Sequence, residues 1–308
     1  MKLSDCDKLF EKITSTSEPE TIASSFRELF DFYPLINYLI GRGKLFYRGQ
    51  KSTSEGFPSA DRLHYPPADN AEAGRLNNKG EPCLYAATRQ TTVFSELNAK
   101  EDDYIHLVGL RMRPKKSIRL IAIGDLFHVH KTGYTRSLGK DPNGELSRIL
   151  NRTDKELATN IIYVDAFLSE LLADKNAKES DYLKTRILTS IAYEKIGAQG
   201  MFYPSVQDHV GMNLAVLSEA YFSNIHMVCS RVVKIKKVHS YGFYDYEIIR
   251  SCEGINELGR FVWSKEPSVR HEILFNLTQE EVDFANTKEE DPNGLLDLMS
   301  FARGRRIR

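Results

Sequence analysis

The chain carries no surplus of charge of either sign: lysine plus arginine and aspartate plus glutamate number 42 each in 308 residues. Proteins that bind a phosphate backbone or an anionic membrane need a basic excess, so the balance argues against nucleic acid or membrane as the main partner. Cysteine is scarce, and Cys6, Cys83, Cys229 and Cys252 form no CxxC pair. Such usage points to neither a zinc site nor a disulfide framework, and it fits a reducing compartment. No run of eighteen apolar residues occurs, and the opening MKLSDCDKLFEKI has no apolar core behind its lysine. Neither a spanning helix nor a signal peptide is expected. Phosphate-binding glycine loops of the GxxxxGK and GxGxxG kinds are missing too, which removes P-loop, kinase-like and Rossmann readings.

What is present is an ordinary globular composition, long enough for one large domain with an appendage. Residues 1–43 read as helical, with Leu9, Phe10, Ile13, Ile22, Phe26, Leu29 and Phe30 recurring at three- and four-residue intervals. Tyr33-Pro34 opens a further short helix, PLINYLI, ending at Gly41. The expected role of this stretch is a collar packed on the main domain. Lys44–Gln50 reads as a strand that carries Arg48 at its polar end, and 51–73 as a long surface loop. Alternation then predicts strands over Tyr104–Met112, Ser117–Ile123, Val232–Val238 and Tyr241–Ile249, and short apolar runs predict two more over Gly200–Tyr203 and Met212–Leu217. Helices are expected over Asn160–Ala173 and Asp181–Gly197, the second with a buried stripe of Leu183, Ile187, Ile191 and Ala192. The lysines of Lys234-Ile-Lys-Lys237 suit the exposed face of an edge strand, and Thr278 a helix start. The basic tail Ala302–Arg308 is too short to indicate nucleic-acid binding.

One stretch organises the rest: Gly74 to Glu96, GRLNNKGEPCLYAATRQTTVFSE. Arg75 precedes an Asn77-Asn78-Lys79-Gly80 turn suited to joining two strands. Pro82–Ala87 reads as a buried strand, and Thr88 as the N-cap of a following helix. Glu96 shares a helical face with Thr92, Val93 and Ala99, as a solvated edge residue or as a site residue turned inward. Later, Pro204-Ser205 places a hydroxyl at a strand end, but without the GxSxG glycines of a hydrolase elbow. His128 and His130 form an HxH pair that a strand would present on one side; with no third ligand at suitable spacing it does not indicate a metal.

Three blocks, FYRG (46–49), AGRLNNKGEPCLYAATRQTTVFSEL (73–97) and GMFYPSVQDHVGMNLAVL (200–217), resemble the RES-domain family, named for an arginine, a glutamate and a serine. Arg75, Asn77, Gly80, Tyr85 and Glu96 keep the family's spacing; where the family has GGRWN, this chain has Ala73-Gly74-Arg75-Leu76-Asn77. The resemblance implies an α+β fold with an ADP-ribosyltransferase-like split antiparallel sheet and flanking helices. It would span 44–250, between a helical N-terminal extension (1–43) and a C-terminal helical or irregular extension (251–308).

It also implies consumption of NAD+ as substrate, with no metal. Cleaving the nicotinamide–ribose bond requires stabilisation of an oxocarbenium-like transition state and firm placement of the dinucleotide. On the family's pattern, Arg48 and Arg75 grip the diphosphate and Tyr85 stacks on nicotinamide. Glu96 holds the ribose hydroxyls beside the developing cation, Ser205 bonds the ribose or the amide, and Asn77 and Asn213 support the bound dinucleotide. Three readings follow: an NAD+ glycohydrolase or phosphorylase acting as a growth-arresting toxin, a transferase of ADP-ribose to an acceptor protein, or a non-catalytic NAD-binding module. Family toxins are commonly paired with a separate antitoxin that covers the active site. The expected location is the cytoplasm, or delivery as an effector without a cleavable signal.

Overall fold

The computed structural model describes residues 2–174 and 182–265 and the backbone of strand 271–273. Two helices, α1 (Leu3–Ser15) and α2 (Pro19–Phe30), come first. Pro19 sits at the first helical position of α2, and the Glu18 carboxylate accepts from the amides of Glu20 and Thr21, satisfying two otherwise orphaned donors. Then follow β1 (Asn37–Ile40), β2 (Leu45–Ser52), β3 (Cys83–Ala87), α3 (Gln90–Glu96), β4 (Tyr104–Met112), β5 (Ile118–Ala122) and α4 (Asp125–Thr132). A small hairpin of β6 (Tyr134–Thr135) and β7 (Gly139–Lys140) leads to α5 (Glu145–Arg152), α6 (Lys155–Leu172) and α7 (Tyr182–Ile196). The remaining elements are β8 (Gly200–Pro204), β9 (Met212–Leu217), α8 (Ser218–Asn224), β10 (Ile225–Val238), β11 (Tyr244–Ile255), β12 (Phe261–Trp263) and β13 (His271–Ile273).

This is the α+β class expected from the sequence. Eleven strands form one sheet in the order β1-β5-β8-β9-β3-β2-β4-β10-β11-β12, with β13 also on β11. Every pairing is antiparallel except β5 with β8. The sheet is split near its middle. Strand β2 pairs with β4 continuously from Leu45↔Arg111 to Ser52↔Tyr104, yet meets β3 at the single pair Tyr47↔Ala87. On the β3 side, one face packs under α1, α2, α6 and α7 through Met201, Ala215, Ile121, Phe26 and Leu188. The other face joins Phe46, Val108 and Leu110 to Leu84, Phe202 and Leu214, so one core spans both halves. Helix α3 covers the opposite face of the β2 half, its Val93 and Phe94 buried with Tyr47, Ile105, Val233 and Tyr246.

Several local expectations change. PLINYLI is not a helix: Asn37–Ile40 forms β1 and pairs with β5 from Asn37↔Ile121 to Ile40↔Ile118, where ladder bonds to an otherwise bare sheet edge override helical spacing. Residues 71–76, which lead into the Asn77 turn, form no strand, and Thr88 is not the N-cap; its amide and hydroxyl both donate to the Met212 carbonyl, and α3 starts at Gln90. The HxH pair lies on helix α4, where residues two apart do not share a face. The buried residues of α7 are Thr185, Leu188, Thr189 and Ala192, because α7 packs against α2 on one side and against the Arg75 segment on the other. Strand β10 is internal, between β4 and β11, and its lysines pair across the surface: Lys234 with Asp102 and Lys236 with Glu247. Thr278 and the basic tail lie outside the described residues. Among the described residues no helix is long and apolar enough to cross a membrane.

The segment 51–73 is tethered rather than loose, with Ala60, Leu63 and Ala71 buried. Its clasp is His106 on β4, fully buried, whose Nδ1 accepts from the Phe57 amide at 3.0 Å while Nε2 faces the Ser230 hydroxyl at 2.7 Å. The Phe57 ring stacks nearly parallel to the imidazole, 5.6 Å away. Burial, with a smaller contribution from Arg250, holds the imidazole neutral and pushes its pKa down to about 4. A histidine depressed in the folded state contributes stability above its unfolded pKa and loses it as pH falls towards the folded one. Thermal or urea melts should therefore show a loss of about 2 kcal/mol from this group between about pH 7 and pH 5. His106→Gln should flatten that limb while lowering stability at neutral pH; an unchanged acid limb would remove His106 as its source.

Candidate active site

The split between β2 and β3 leaves a hollow that the small side chains of Gly49, Ala86 and Ala87 keep open. A cavity of ≈ 290 Å³ lies there, walled by Tyr47 and Arg48 from β2, Tyr85 from β3, Val93 and Glu96 from α3, and Tyr203 and Asn213 from β8 and β9. Gly49 is required by close approach: a Cβ there would meet Val93 Cγ1 at 2.8 Å and Ile105 Cγ2 at 3.1 Å, pushing α3 off β2. Asn213 stands in register with Ala87 on one side and Tyr203 on the other, which turns its amide towards the same mouth.

Glu96 ends α3 at that mouth and remains exposed to solvent. Its Oε1 accepts from the buried Ser205 hydroxyl and from Asn213 Nδ2, each at 2.6 Å. Oε2 has no partner among the described residues. The Ser205 hydroxyl is saturated: it donates to Glu96 and accepts from the amides of Asp208 (2.9 Å) and Gln207 (3.2 Å). A second clasp, Thr92 Oγ1 to Asp208 Oδ2 at 2.7 Å, ties α3 to the loop after β8. Gly211 closes that loop, since a Cβ on it would lie 2.5 Å from Asp208 Oδ2 and 2.6 Å from Thr92 Oγ1.

Arg48 bridges the split. Its Nη1 donates to the Tyr85 carbonyl at 2.8 Å and its Nη2 to the His64 carbonyl at 3.2 Å, while the buried Nε has no partner. Burial lowers its pKa, and no carboxylate is among the charges that act on it; guanidinium stays protonated even so. The Tyr85 ring lines the cavity, edge-on to Tyr203 at 6.5 Å. Its hydroxyl points away, donating to Asn77 Oδ1 at 2.7 Å and accepting from the Leu76 amide at 3.0 Å, and burial raises its pKa. Asn77 is the hub of the turn behind that wall, its Nδ2 shared among the carbonyls of Glu72, Asn78 and Glu81.

Five of the seven residues expected at a dinucleotide site or its catalytic centre are thus connected: Arg48, Tyr85, Glu96 and Asn213 line the cavity, and Ser205 bonds Glu96. Asn77 adds a support from behind. Arg75 is not brought in. Its Nη1 and Nη2 donate to the carbonyls of Leu172 and Asp174 just at and beyond the end of α6, and its guanidinium lies 4.7 Å from the Tyr182 ring centre. No cluster of three or more His, Cys, Asp or Glu able to hold a metal occurs among the described residues.

The sequence model of the RES domain matches residues 46–232, more than half of the chain. The chain belongs to the RES-domain family. None of the curated proteins matches it. Among solved structures, a chain of the M. tuberculosis MbcT–MbcA toxin–antitoxin complex is similar, at 10% sequence identity over 67% of this chain and 91% of that one, with a TM-score of 0.35. Sequence spacing overlooked some residues of this candidate site. Tyr203 was detectable in principle, two residues before Ser205 on an alternating strand. Tyr47 and the Thr92–Asp208 clasp had no local signal, because tertiary packing alone brings them together; Val93 was readable only as a neighbour of Glu96 on one helical face.

Arg75 therefore braces the helix layer in this structure. Arg75→Gln removes two charge-assisted donors from carbonyls at the end of α6 and should cost about 1–3 kcal/mol of stability, read from melts of the full chain. An unchanged melting temperature would remove the brace.

Proposed function

We propose that this RES-domain chain cleaves the nicotinamide–ribose bond of NAD+, as a glycohydrolase or phosphorylase, and acts as a growth-arresting toxin. The observation that carries the reading is the Glu96 carboxylate, one oxygen fixed by Ser205 and Asn213 and the other open at the mouth of an aromatic-walled cavity. At ≈ 290 Å³ the cavity is at the small end of the range for small-molecule sites, about 300–1,000 Å³, and suits the nicotinamide riboside end of the dinucleotide. The rest of the molecule would extend outwards past Arg48, whose charge has no carboxylate beside it and suits a diphosphate.

In this scheme the nicotinamide ring lies against Tyr85 and Tyr203. The C–N bond breaks with its electron pair going to the ring nitrogen, which neutralises the pyridinium. Positive charge then grows on the ribose, and the Glu96 carboxylate stabilises it while Oε2 holds a ribose hydroxyl. An oxygen of water or phosphate attacks the anomeric carbon, and its proton passes to solvent. Ser205 and Asn213 act through Glu96: they keep the carboxylate from rotating and are positioning residues. The exposed mouth admits an acceptor from solution, and it is also the surface that a separate antitoxin would cover.

Incubating the purified protein with NAD+, with and without phosphate and with cell extract, tests the reading by product: ADP-ribose, its phosphate ester or labelled protein. Glu96→Ala should lower turnover at least about a hundredfold. Ser205→Ala and Asn213→Ala should each lower kcat about tenfold with little change in KM, because the carboxylate loses its aim and the pocket keeps its walls. Equal turnover by wild type and Glu96→Ala would overturn the mechanism.

A further inference from the structure

A second hollow of ≈ 310 Å³ lies beyond the first, at the far side of the turn between β3 and α3. Lys44, Arg89, Arg136, His128 and His209 line it together with Thr88, and no carboxylate does. In a chain whose charges balance at 42 of each sign, such one-signed lining is a local enrichment. These residues come from five separate places: the approach to β2, the β3–α3 turn, α4, the β6–β7 hairpin and the loop after Ser205. Tertiary folding alone gathers them.

The two arginines have donors to spare. Arg136 uses Nη2 on the His209 carbonyl at 3.1 Å, and Arg89 is exposed on the α3 turn. Neither has a carboxylate partner among the described residues. The nearby acids are already committed. Asp208 accepts from Thr92 Oγ1 and the Val210 amide, and fully buried Asp125 accepts from the Tyr38 hydroxyl and the amides of Arg136 and Ser137. His128 Nδ1 donates to the Tyr134 carbonyl at 2.7 Å, which fixes the ring at the edge of the hollow.

We propose that this hollow is a phosphate site, separate from the Glu96 cavity, which takes a phosphate dianion either free or as the phosphomonoester of a nucleotide. Forked guanidinium donors match the geometry of phosphate oxygens. The inference does not rest on NAD+ cleavage. Its location bears on that reaction nonetheless: His209 and Val210 belong to the loop whose amides hold Ser205, so an anion there would lie against the element that aims Glu96.

Calorimetric titration of the full chain with inorganic phosphate and, separately, with adenosine 5′-monophosphate, both at low ionic strength, tests the proposal. Either titrant should bind, and the tighter one identifies the source. The doubly substituted Arg89→Gln, Arg136→Gln protein should bind at least about tenfold more weakly. Arg89→Gln alone, changing only an exposed side chain, should weaken binding in the same direction and covers the case of a misfolded double variant. Glu96→Ala should bind phosphate as the wild type does, and saturating nicotinamide should not displace it, which separates this site from the cavity. Failure of both titrants to bind, or equal affinity in wild type and the arginine variants, would overturn the proposal whatever the outcome of the NAD+ assays.

Discussion

A sheet that almost comes apart is the constraint behind this molecule. Strands β2 and β3 share one ladder pair, and the carbonyl of Tyr85 would otherwise be left facing a gap. Arg48 closes the account by spanning the split with two charge-assisted bonds, one to Tyr85 and one to His64 on the segment beyond. Its side chain thus does two things with one charge: it satisfies main-chain acceptors on the far half and leaves an uncompensated cation at the cavity wall. A fully paired β2–β3 ladder would give a more regular sheet and no hollow, and the common core on the opposite face holds the halves together without it.

The same economy shapes the carboxylate. Glu96 is placed by a short helix whose own length confers little stability, so its position comes from the burial of Val93 and Phe94, from the close fit of Gly49 under Val93, and from the Thr92–Asp208 clasp. Ser205 has no hydrogen-bonding capacity left after serving Glu96 and two amides. A serine so saturated fixes which oxygen of the carboxylate is occupied and which is left open. That asymmetry gives a single exposed acid a defined direction, which is what stabilising a localised positive charge requires.

How much of this was legible beforehand divides along physical lines. Strands rich in apolar residues, such as Tyr104–Met112 and Met212–Leu217, lie where the sequence puts them and are buried along nearly their whole length. Their apolar content is itself the cause of their burial. Asn37–Ile40 was misread because seven mostly apolar residues suit either a helix or an edge strand, and only the bare edge of β5 decides between them. The lysines of β10 were misread as protecting an edge, since a local run cannot show that β11 and β4 flank it on both sides. Glu96, Ser205 and Asn213 were recognisable as a set through family spacing, but their mutual bonds were not, because 109 and 117 residues separate the partners.

Arg75, Asn77 and Tyr85 show why a motif and a site are different objects. All three fall in one dense block of sequence, and all three were expected to touch the same ligand. In the fold, only the Tyr85 ring reaches the cavity; its hydroxyl faces backwards to Asn77 and the Leu76 amide, and Asn77 in turn gathers three carbonyls of its turn. Arg75, one step further from the hollow, holds the end of α6, while its own carbonyl accepts from Thr185 of α7. The block is therefore a layered wall, with an aromatic face, a polar turn behind it and a cation fastening that turn to the helices. A wall of this kind constrains sequence as strongly as direct ligand contact does, because a flat ring holds its angle only when the atoms behind it are fixed. Spacing registers the constraint; only the coordinates distinguish the ring that faces the cavity from the structure that keeps it in place.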